Sequence, residues 1–210
     1  TDLNTQFQNQ AGDFFIKTIP DDASSSTSRF GIDHSTGDIS FYEDTGTTAK
    51  LFWDASAESL GIGTTSPSSY NANADNLVVA GSGNTGITIA AGTTDDTNIF
   101  FADGTSADAA YRGIIRYSHS GDSLKFYTAA SERARIDSSG NVLVGKTSAS
   151  ITTAGAELRP NGQVFATQSG NYPLLLNRTT SDGDIIQLRK DNSTVGSIGA
   201  SGGDLIVGTG

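Results

Sequence analysis

The chain has 210 residues, a formal net charge of −10 and no cysteine. The lack of cysteine excludes disulfides, thiolate metal sites and thiol catalysis. The acidic balance, without any Lys/Arg cluster, argues against a nucleic-acid partner, which needs cationic contacts to its phosphates. No apolar stretch approaches 18 residues, so we expect no membrane insertion. Ser, Thr and Gly make up 76 of the 210 residues, a composition that suits turns and exposed strand faces and predicts an all-β protein.

Short apolar or alternating runs follow one another at intervals of roughly ten residues, with Gly, Asn, Asp and Ser turns between them. Residues 1–10 and 106–112 could be argued as helical, but neither holds an apolar stripe over three turns. The runs predict twelve strands: Phe14–Ile16, Ile39–Tyr42, Leu51–Trp53, Leu77–Val79, Ile87–Ile89, Ile99–Phe101, Ile114–Tyr117, Leu124–Tyr127, Val142–Val144, Leu174–Leu176, Ile185–Leu188 and Leu205–Val207.

One block of residues occurs at least twice. A Gly-Asp pair followed by a strand ending in Phe-Tyr begins at Gly37 and again at Gly121, 84 residues later. Each copy is followed by a matched ending, LGIGTTS around Gly63 and VLVGKTS around Gly145. A third, shorter echo begins at Gly203. A repeat of this period predicts an array of β modules, which builds length more often than it builds a catalytic pocket.

The repeat divides the chain into four parts. We predict an N-terminal connecting segment (residues 1–12), two complete β repeat units (13–76 and 77–157) and an incomplete third unit (158–210). Strands this short bury little apolar surface by themselves, and open sheet edges invite pairing with other chains. We therefore expect an elongated, intertwined homotrimer in which three copies share each core, built as a β-prism, a β-sandwich or a triple β-helix.

Two strings match nucleotide-binding motifs but lack the required context. Residues 140–147 fit the phosphate-binding loop G-x-x-x-x-G-K-[ST], yet Val-Leu-Val inside the string is typical of a strand and no helix is predicted after it. Residues 81–86 fit G-x-G-x-x-G, but the β-branched Ile87-Thr88-Ile89 follows where a helix is needed. We therefore predict hairpin turns at both places and no cofactor.

Both histidines, His34 and His119, stand shortly before a Gly-Asp pair, which predicts a shared structural role in a turn or at a strand edge. The alternative is a metal or anion site made by three symmetry-related copies at an axis. Acidic pairs occur at 21–22, 95–96 and 182/184, all beside turn-forming residues. Solvated turn carboxylates are the favoured interpretation, and a glycoside-hydrolase pair is the alternative. We predict no catalytic residues.

The aromatic residues Tyr42, Trp53 and Tyr127 are candidate receptor contacts, since aromatic rings can stack on sugars. Phe41-Tyr42 and Phe126-Tyr127 hold matching positions in the repeat, which favours packing in a core or an interface over receptor binding.

Residues 131–145, SERARIDSSGNVLVG, resemble the ERMRIDSSGNVGIGT cassettes of bacteriophage tail-fibre and tailspike stalks, especially those of marine phages and cyanophages. Residues 60–67 resemble the LGIGTTSP ending of such cassettes. Residues 175–200 resemble the segment that often precedes a self-cleaving intramolecular chaperone domain. The likeness covers most of residues 30–210, and it departs at Lys146, where these cassettes usually continue with Thr.

The resemblance implies a homotrimeric, β-rich fibre on the virion that contacts other tail or baseplate proteins and a glycan or protein of the host surface. The segment from Thr1 to Ala11 is the candidate for docking to other tail proteins. An end at Gly210 fits loss of a chaperone domain, and a start without Met fits a piece of a longer protein. The alternatives are a tailspike depolymerase that cleaves a host polysaccharide and a bacterial surface adhesin repeat.

Overall fold

The computed structural model describes residues 3–209 and confirms the all-β prediction. Within these residues there are seventeen strands in three sheets, none of which closes on itself. The chain forms two compact units, Thr1–Thr88 and Ile89–Gly210. The first sheet lies in the first unit, and the second and third sheets lie in the second unit.

The first sheet has seven strands in chain order, antiparallel except for the last pair, which is parallel. A two-residue turn at Ala11-Gly12, with φ positive at both residues, closes the first hairpin in the geometry that matches strand twist. A short 3-10 helix, Pro67–Ser69, precedes the last strand. The strands are β1 (Leu3–Gln10), β2 (Asp13–Pro20), β3 (Thr27–Ile32), β4 (Ile39–Tyr42), β5 (Ala49–Asp54), β6 (Ser59–Ile62) and β7 (Leu77–Val79).

The second sheet is an antiparallel meander of seven strands, again in chain order. The 3-10 helix Ala107–Tyr111 lies in the first connection, and Ala129-Ala130, both with positive φ, form a two-residue hairpin turn. The strands are β8 (Asp96–Phe101), β9 (Gly113–Ser118), β10 (Ser123–Thr128), β11 (Ser131–Ile136), β12 (Val142–Val144), β13 (Gly155–Leu158) and β14 (Val164–Thr167).

The third sheet has three antiparallel strands, β15 (Gly183–Lys190), β16 (Ser193–Ser201) and β17 (Asp204–Thr209). Its two hairpin turns, Asp191-Asn192 and Gly202-Gly203, use residues that tolerate the positive φ found at all four positions.

Ten of the twelve predicted strands are confirmed by these elements. Two are wrong: Ile87–Ile89 and Leu174–Leu176 lie in segments without regular structure. Both have strand-like sequences, but no strand of the described chain pairs with them. A strand forms only where a partner completes its hydrogen bonds.

The strand pairing shows which sheet contains the residues at each predicted unit boundary. Leu3–Gln10, inside the predicted connecting segment 1–12, pairs along its full length with Asp13–Pro20 in the first sheet. Leu77–Val79, at the predicted start of the second unit, pairs with Ser59–Ile62 in the same sheet. The strands of the second sheet span residues 96–167, and those of the third span 183–209.

A β-bulge occurs at matching places in the first two sheets. The pairing of β4 with β5 shifts between Phe41 and Tyr42, and the pairing of β10 with β11 shifts between Phe126 and Tyr127. An extra residue, Lys50 or Arg133, therefore stands on the partner strand in each sheet.

The carbonyl of each extra residue is bound by a glycine of the matched ending. Gly63 N donates to Lys50 O at 2.7 Å, and Gly145 N donates to Arg133 O at 2.9 Å. The two glycines have φ of +80° and +73°, a left-handed conformation that other residues adopt only at a cost. In both copies, the strand that pairs with the Phe-Tyr strand is thus also held by the glycine of the matched ending.

Alanine substitutions at these two glycines should have unequal effects. Each should cost about 1 kcal/mol of unfolding free energy for the left-handed backbone. A Cβ at Gly63 would also collide with the Ala80 carbonyl oxygen, whereas at Gly145 the nearest heavy atom, Gly155 Cα, is 3.9 Å away. We expect Gly63→Ala to cost at least about 2 kcal/mol more than Gly145→Ala, measured by denaturant unfolding. Equal costs would contradict the close approach of Ala80.

Candidate functional site

The first sheet has one apolar face, because paired residues of neighbouring strands point to the same side and residues two apart along a strand do so too. The strand pairing places thirteen apolar side chains together on this face, and none of its regularly paired positions is charged. They are Phe7, Phe14, Ile16, Phe30, Ile32, Ile39, Phe41, Leu51, Trp53, Leu60, Ile62, Leu77 and Val79. Arg29, at a bulge in β3, reaches this face and donates to Thr18 at 3.1 Å.

Four phenylalanines form a continuous row across this face. Ring centroids are 6.4 Å apart for Phe7 and Phe14, 6.4 Å for Phe14 and Phe30, and 5.2 Å for Phe30 and Phe41. Such rings normally bury most of their surface, yet Phe7 is 70% exposed and Phe41 is 47% exposed. The rings of this row thus contact one another but remain exposed to solvent in the single chain.

The second sheet repeats this arrangement. Fifteen uncharged residues share one face: Thr97, Ile99, Phe101, Ile115, Tyr117, Leu124, Phe126, Ala134, Ile136, Val142, Val144, Ala156, Leu158, Val164 and Ala166. Most of its large side chains are more than a third exposed. Phe41 and Phe126, which match in the sequence repeat, lie on the apolar faces of their respective sheets.

The exposed surface of the chain is larger than that of two average globular domains of half its mass each. The chain exposes 14258 Å², whereas two independent compact domains of half its mass would together expose about 11,100 Å². Only four hydrophobic residues of the described chain are buried: Ala49, Val78, Ile114 and Leu143. The excess, about 3,000 Å² per chain, falls in the size range of permanent subunit interfaces.

The opposite face of the second sheet carries a polar network. Arg116 pairs with Asp96 at 3.4 Å and lies 5.2 Å from the centroid of the Tyr127 ring. The Tyr127 hydroxyl donates to Glu132 at 3.3 Å, and Arg135 binds both oxygens of Glu132 at 2.6 and 2.7 Å. Burial, and next the Glu132 carboxylate, raise the pKa of Tyr127. This face of the second sheet therefore combines paired charges with the buried Ile114 and Leu143, whereas the apolar face holds exposed hydrophobic side chains.

The opposite face of the first sheet holds a cleft of about 130 Å³, lined by Asp13, Phe15, Gly31, Ile32, Asp33, Asp38, Ser40, Tyr42 and Phe52. Its carboxylates already accept backbone hydrogen bonds: Asp13 from His34 N at 2.8 Å, Asp33 from Ser35 N at 2.7 Å, and Asp38 from Ala55 N at 2.9 Å. These acidic groups shape turns.

The three candidate receptor aromatics lie in different surroundings. Trp53 is on the apolar face of the first sheet, paired with Ile39 and Leu60. Tyr42 is on the other face of that sheet and lines the cleft. Tyr127 is in the polar network of the second sheet, with Arg116 over its ring. All three are half-buried. Tyr42 and Tyr127 belong to faces suited to water, and Trp53 belongs to a face suited to packing.

A buried ion cluster, which the sequence reasoning missed, closes the loop between β12 and β13. Lys146 Nζ lies 2.6 Å from Glu157 Oε2 and donates to Ser150 O at 2.7 Å. Ser150 N donates to the same carboxylate oxygen at 3.0 Å, and Arg159 Nε donates to the other oxygen. The side chains of Lys146 and Glu157 are both 0% exposed. The lysine of the phosphate-loop-like string is thus engaged inside the chain, and residues 145–154 form no helix.

The two histidines lie in turns next to matching strands, β3 and β9. His34 is exposed. The ring of His119 is 5.0 Å from that of Tyr117, and its Nε2 is buried without a hydrogen-bond partner among residues 3–209. In that part of the chain, no three His, Cys, Asp or Glu side chains form a group that could hold a metal ion.

The acidic pairs make contacts typical of turns and strand ends. Asp22 accepts from Ser24 N at 3.0 Å, and Asp182 accepts from Gly202 N at 2.7 Å. Asp96 pairs with Arg116 in the polar network. The predicted docking segment, Thr1 to Ala11, contains strand Leu3–Gln10, whereas Thr1 and Asp2 lie outside the described residues.

Removing the carboxylate charge of the buried cluster should destabilise the second unit. In Glu157→Gln the ammonium of Lys146 stays buried without its counter-ion, so we expect the melting temperature to fall by roughly 6–12 °C. The matched control is Asp191→Asn, which breaks an exposed Lys190–Asp191 pair with side chains 80% and 90% exposed. It should change the melting temperature by less than about 1 °C. Equal effects would contradict the burial of the cluster.

The same carboxylate should make stability depend on acid pH. Hydrogen bonds from Lys146, and next from Arg159, lower the pKa of Glu157 from 4.5 to about 2. Since the folded-state pKa is the lower one, its contribution is full above pH 4.5 and is lost as the pH falls towards 2. The difference in stability between the wild type and Glu157→Gln should therefore shrink over this range in pH-dependent melting experiments. A constant difference would refute this assignment.

Neither the protein-family models nor the curated proteins compared with this sequence include a significant match. Within residues 3–209, no helix has the length and apolar character needed to cross a membrane.

Proposed function

We propose that this chain is a structural and adhesive tail-fibre protein of a tailed bacteriophage, without a catalytic role. Three copies associate through the apolar faces of their sheets and stack repeated β modules into a shaft. The shaft is joined to the virion through other tail or baseplate proteins, and its outward faces take part in recognition of a host-surface glycan or protein.

The observation that carries the proposal is the pair of uncovered apolar faces, together with the excess of about 3,000 Å² of exposed surface relative to compact domains. At about 25 cal/mol per Å², covering even half of that area with apolar contacts would contribute tens of kcal/mol before entropic costs. Among residues 3–209, many large side chains of these faces are exposed, and an identical face of a neighbouring copy can cover them. The number three comes from the resemblance to phage fibre stalks.

The matching bulges support the repeat within this proposal. In both sheets, the strand carrying Phe-Tyr lies opposite an extra residue whose carbonyl is bound by a left-handed glycine. Two modules with the same local geometry and the same apolar face can be stacked along one axis without a new kind of contact.

The polar faces favour an outward position. The network from Asp96 to Arg135 in the second sheet has its charges paired, and the cleft of the first sheet combines aromatic rings with carboxylates. Both surfaces can remain exposed to water without a loss of stability. Contacts to a host glycan would come from these faces, where Tyr42 and Tyr127 lie.

The proposal is tested by the mass of the native protein and one pair of variants. Light scattering should give three times the chain mass of 21.7 kDa. Phe126→Gln, on the apolar face, should weaken association by about 2 kcal/mol per subunit. Phe100→Gln is the control, because Phe100 is similarly exposed (53% against 40%) but lies on the opposite face of the same sheet. A stable folded monomer, or equal effects of the two variants, would refute the proposal.

A further inference from the structure

Two segments have the sequence of strands but no strand partner. Residues 86–90, Gly-Ile-Thr-Ile-Ala, follow β7, the last strand of the first sheet. Residues 173–177, Pro-Leu-Leu-Leu-Asn, follow β14, the edge strand of the second sheet. Both β7 and β14 pair on one side only, so each segment comes after an open sheet edge.

The backbones of these segments are unsatisfied within the chain. Among residues 3–209, no backbone hydrogen bond involves residues 86–90 or 173–177. Water can supply the missing partners in a single exposed chain, but a buried segment would need protein partners. A backbone segment whose N–H and C=O groups have no partner can pair with a strand of another chain.

The large apolar side chains of both segments are more exposed than is usual for such residues in connecting loops. Ile87 is 70% exposed, and Leu175 is 79% exposed. In residues 86–90 the apolar residues alternate with Thr88, as in a strand with one covered face. Leu174, Leu175 and Leu176 are consecutive, as in a strand covered on both faces.

Neither segment carries a charge that would protect it from association. The stretches 81–92 and 169–177 contain no Asp, Glu, Lys or Arg, in a chain that is 17% charged. Soluble proteins normally place charged residues in exposed apolar strands to prevent pairing with other chains. Their absence here fits segments that are covered in the working protein.

We infer that residues 86–90 and 173–177 are inter-subunit strands, each of which pairs with an open sheet edge of a second copy of this chain. The inference rests on the proposed association of identical chains and adds how the chains are joined. Strand addition supplies the missing backbone hydrogen bonds and carries apolar side chains onto the neighbour. Each copy both offers open edges and contributes two free segments, so in a closed ring of copies every segment can pair with an edge of its neighbour.

Hydrogen exchange measured by mass spectrometry on the native full chain tests this inference. We expect the amides of residues 87–90 and 174–177 to exchange at least about a hundredfold more slowly than in an unstructured peptide, because paired amides exchange only after local opening. The exposed turn 21–26 is the internal control and should exchange fast. Fast exchange in both segments of a protein whose mass shows several copies would overturn this inference alone. A monomeric mass would overturn the proposed association as well.

A pair of variants separates strand pairing from apolar packing. Leu175→Thr removes the leucine and keeps the backbone N–H, whereas Leu175→Pro removes both. If residue 175 is paired with a neighbour, the proline variant should dissociate at a subunit concentration at least about tenfold higher than the threonine variant, as expected for one lost buried hydrogen bond. Equal dissociation of the two variants would overturn the pairing.

Discussion

The strict alternation of side chains along a β-strand is the constraint on which this structure depends. It gathers the apolar residues of seven consecutive strands on one face of a sheet, and this happens in both large sheets. A helix packed across such a face would make an ordinary α+β domain. The described chain contains only two short 3-10 helices, and many large side chains of both faces are exposed. The surface left open determines what the protein can do.

A bulge and one glycine hydrogen bond give the duplicated sequence block a physical explanation. In both sheets a bulge lies opposite the Phe-Tyr strand. It leaves the carbonyl of Lys50 or Arg133 outside the regular ladder of hydrogen bonds between the strands. Gly63 or Gly145 binds that carbonyl with its N–H, in a conformation suited to glycine. In both copies the Gly-Asp block and the glycine-rich ending therefore contact the same partner strand, from its two sides. The alternation of side chains along the strand places Phe and Tyr on opposite faces in both sheets.

The sequence predicted the fold class and most strands because apolar runs between turn residues are local signals. It missed seven strands: β1, β3, β6, β11, β13, β14 and β16. The first of these, Leu3–Gln10, is polar apart from Leu3 and Phe7 and becomes a strand through its hairpin with Asp13–Pro20. It wrongly predicted strands at Ile87–Ile89 and Leu174–Leu176, because the apolar runs are strand-like but no strand among residues 3–209 pairs with them. It missed the pairing of Lys146 with Glu157, because a loop separates them along the chain and no pattern marks the contact.

The distribution of charge decides between packing and ligand binding for the apolar faces. The regularly paired positions of the two faces include no charged residue, and the arginines that reach these faces, Arg29 and Arg133, stand at bulges and donate to Thr18 and Thr128. The charges lie instead on the opposite faces and in turns, as in the Arg116 and Arg135 network. A face that stays in water gains nothing from excluding charge, but burial of an unpaired charge is costly. A glycan-binding surface would also need polar groups to bind hydroxyls. The exclusion therefore favours permanent contact with another apolar surface, and an identical face on a second copy meets that requirement.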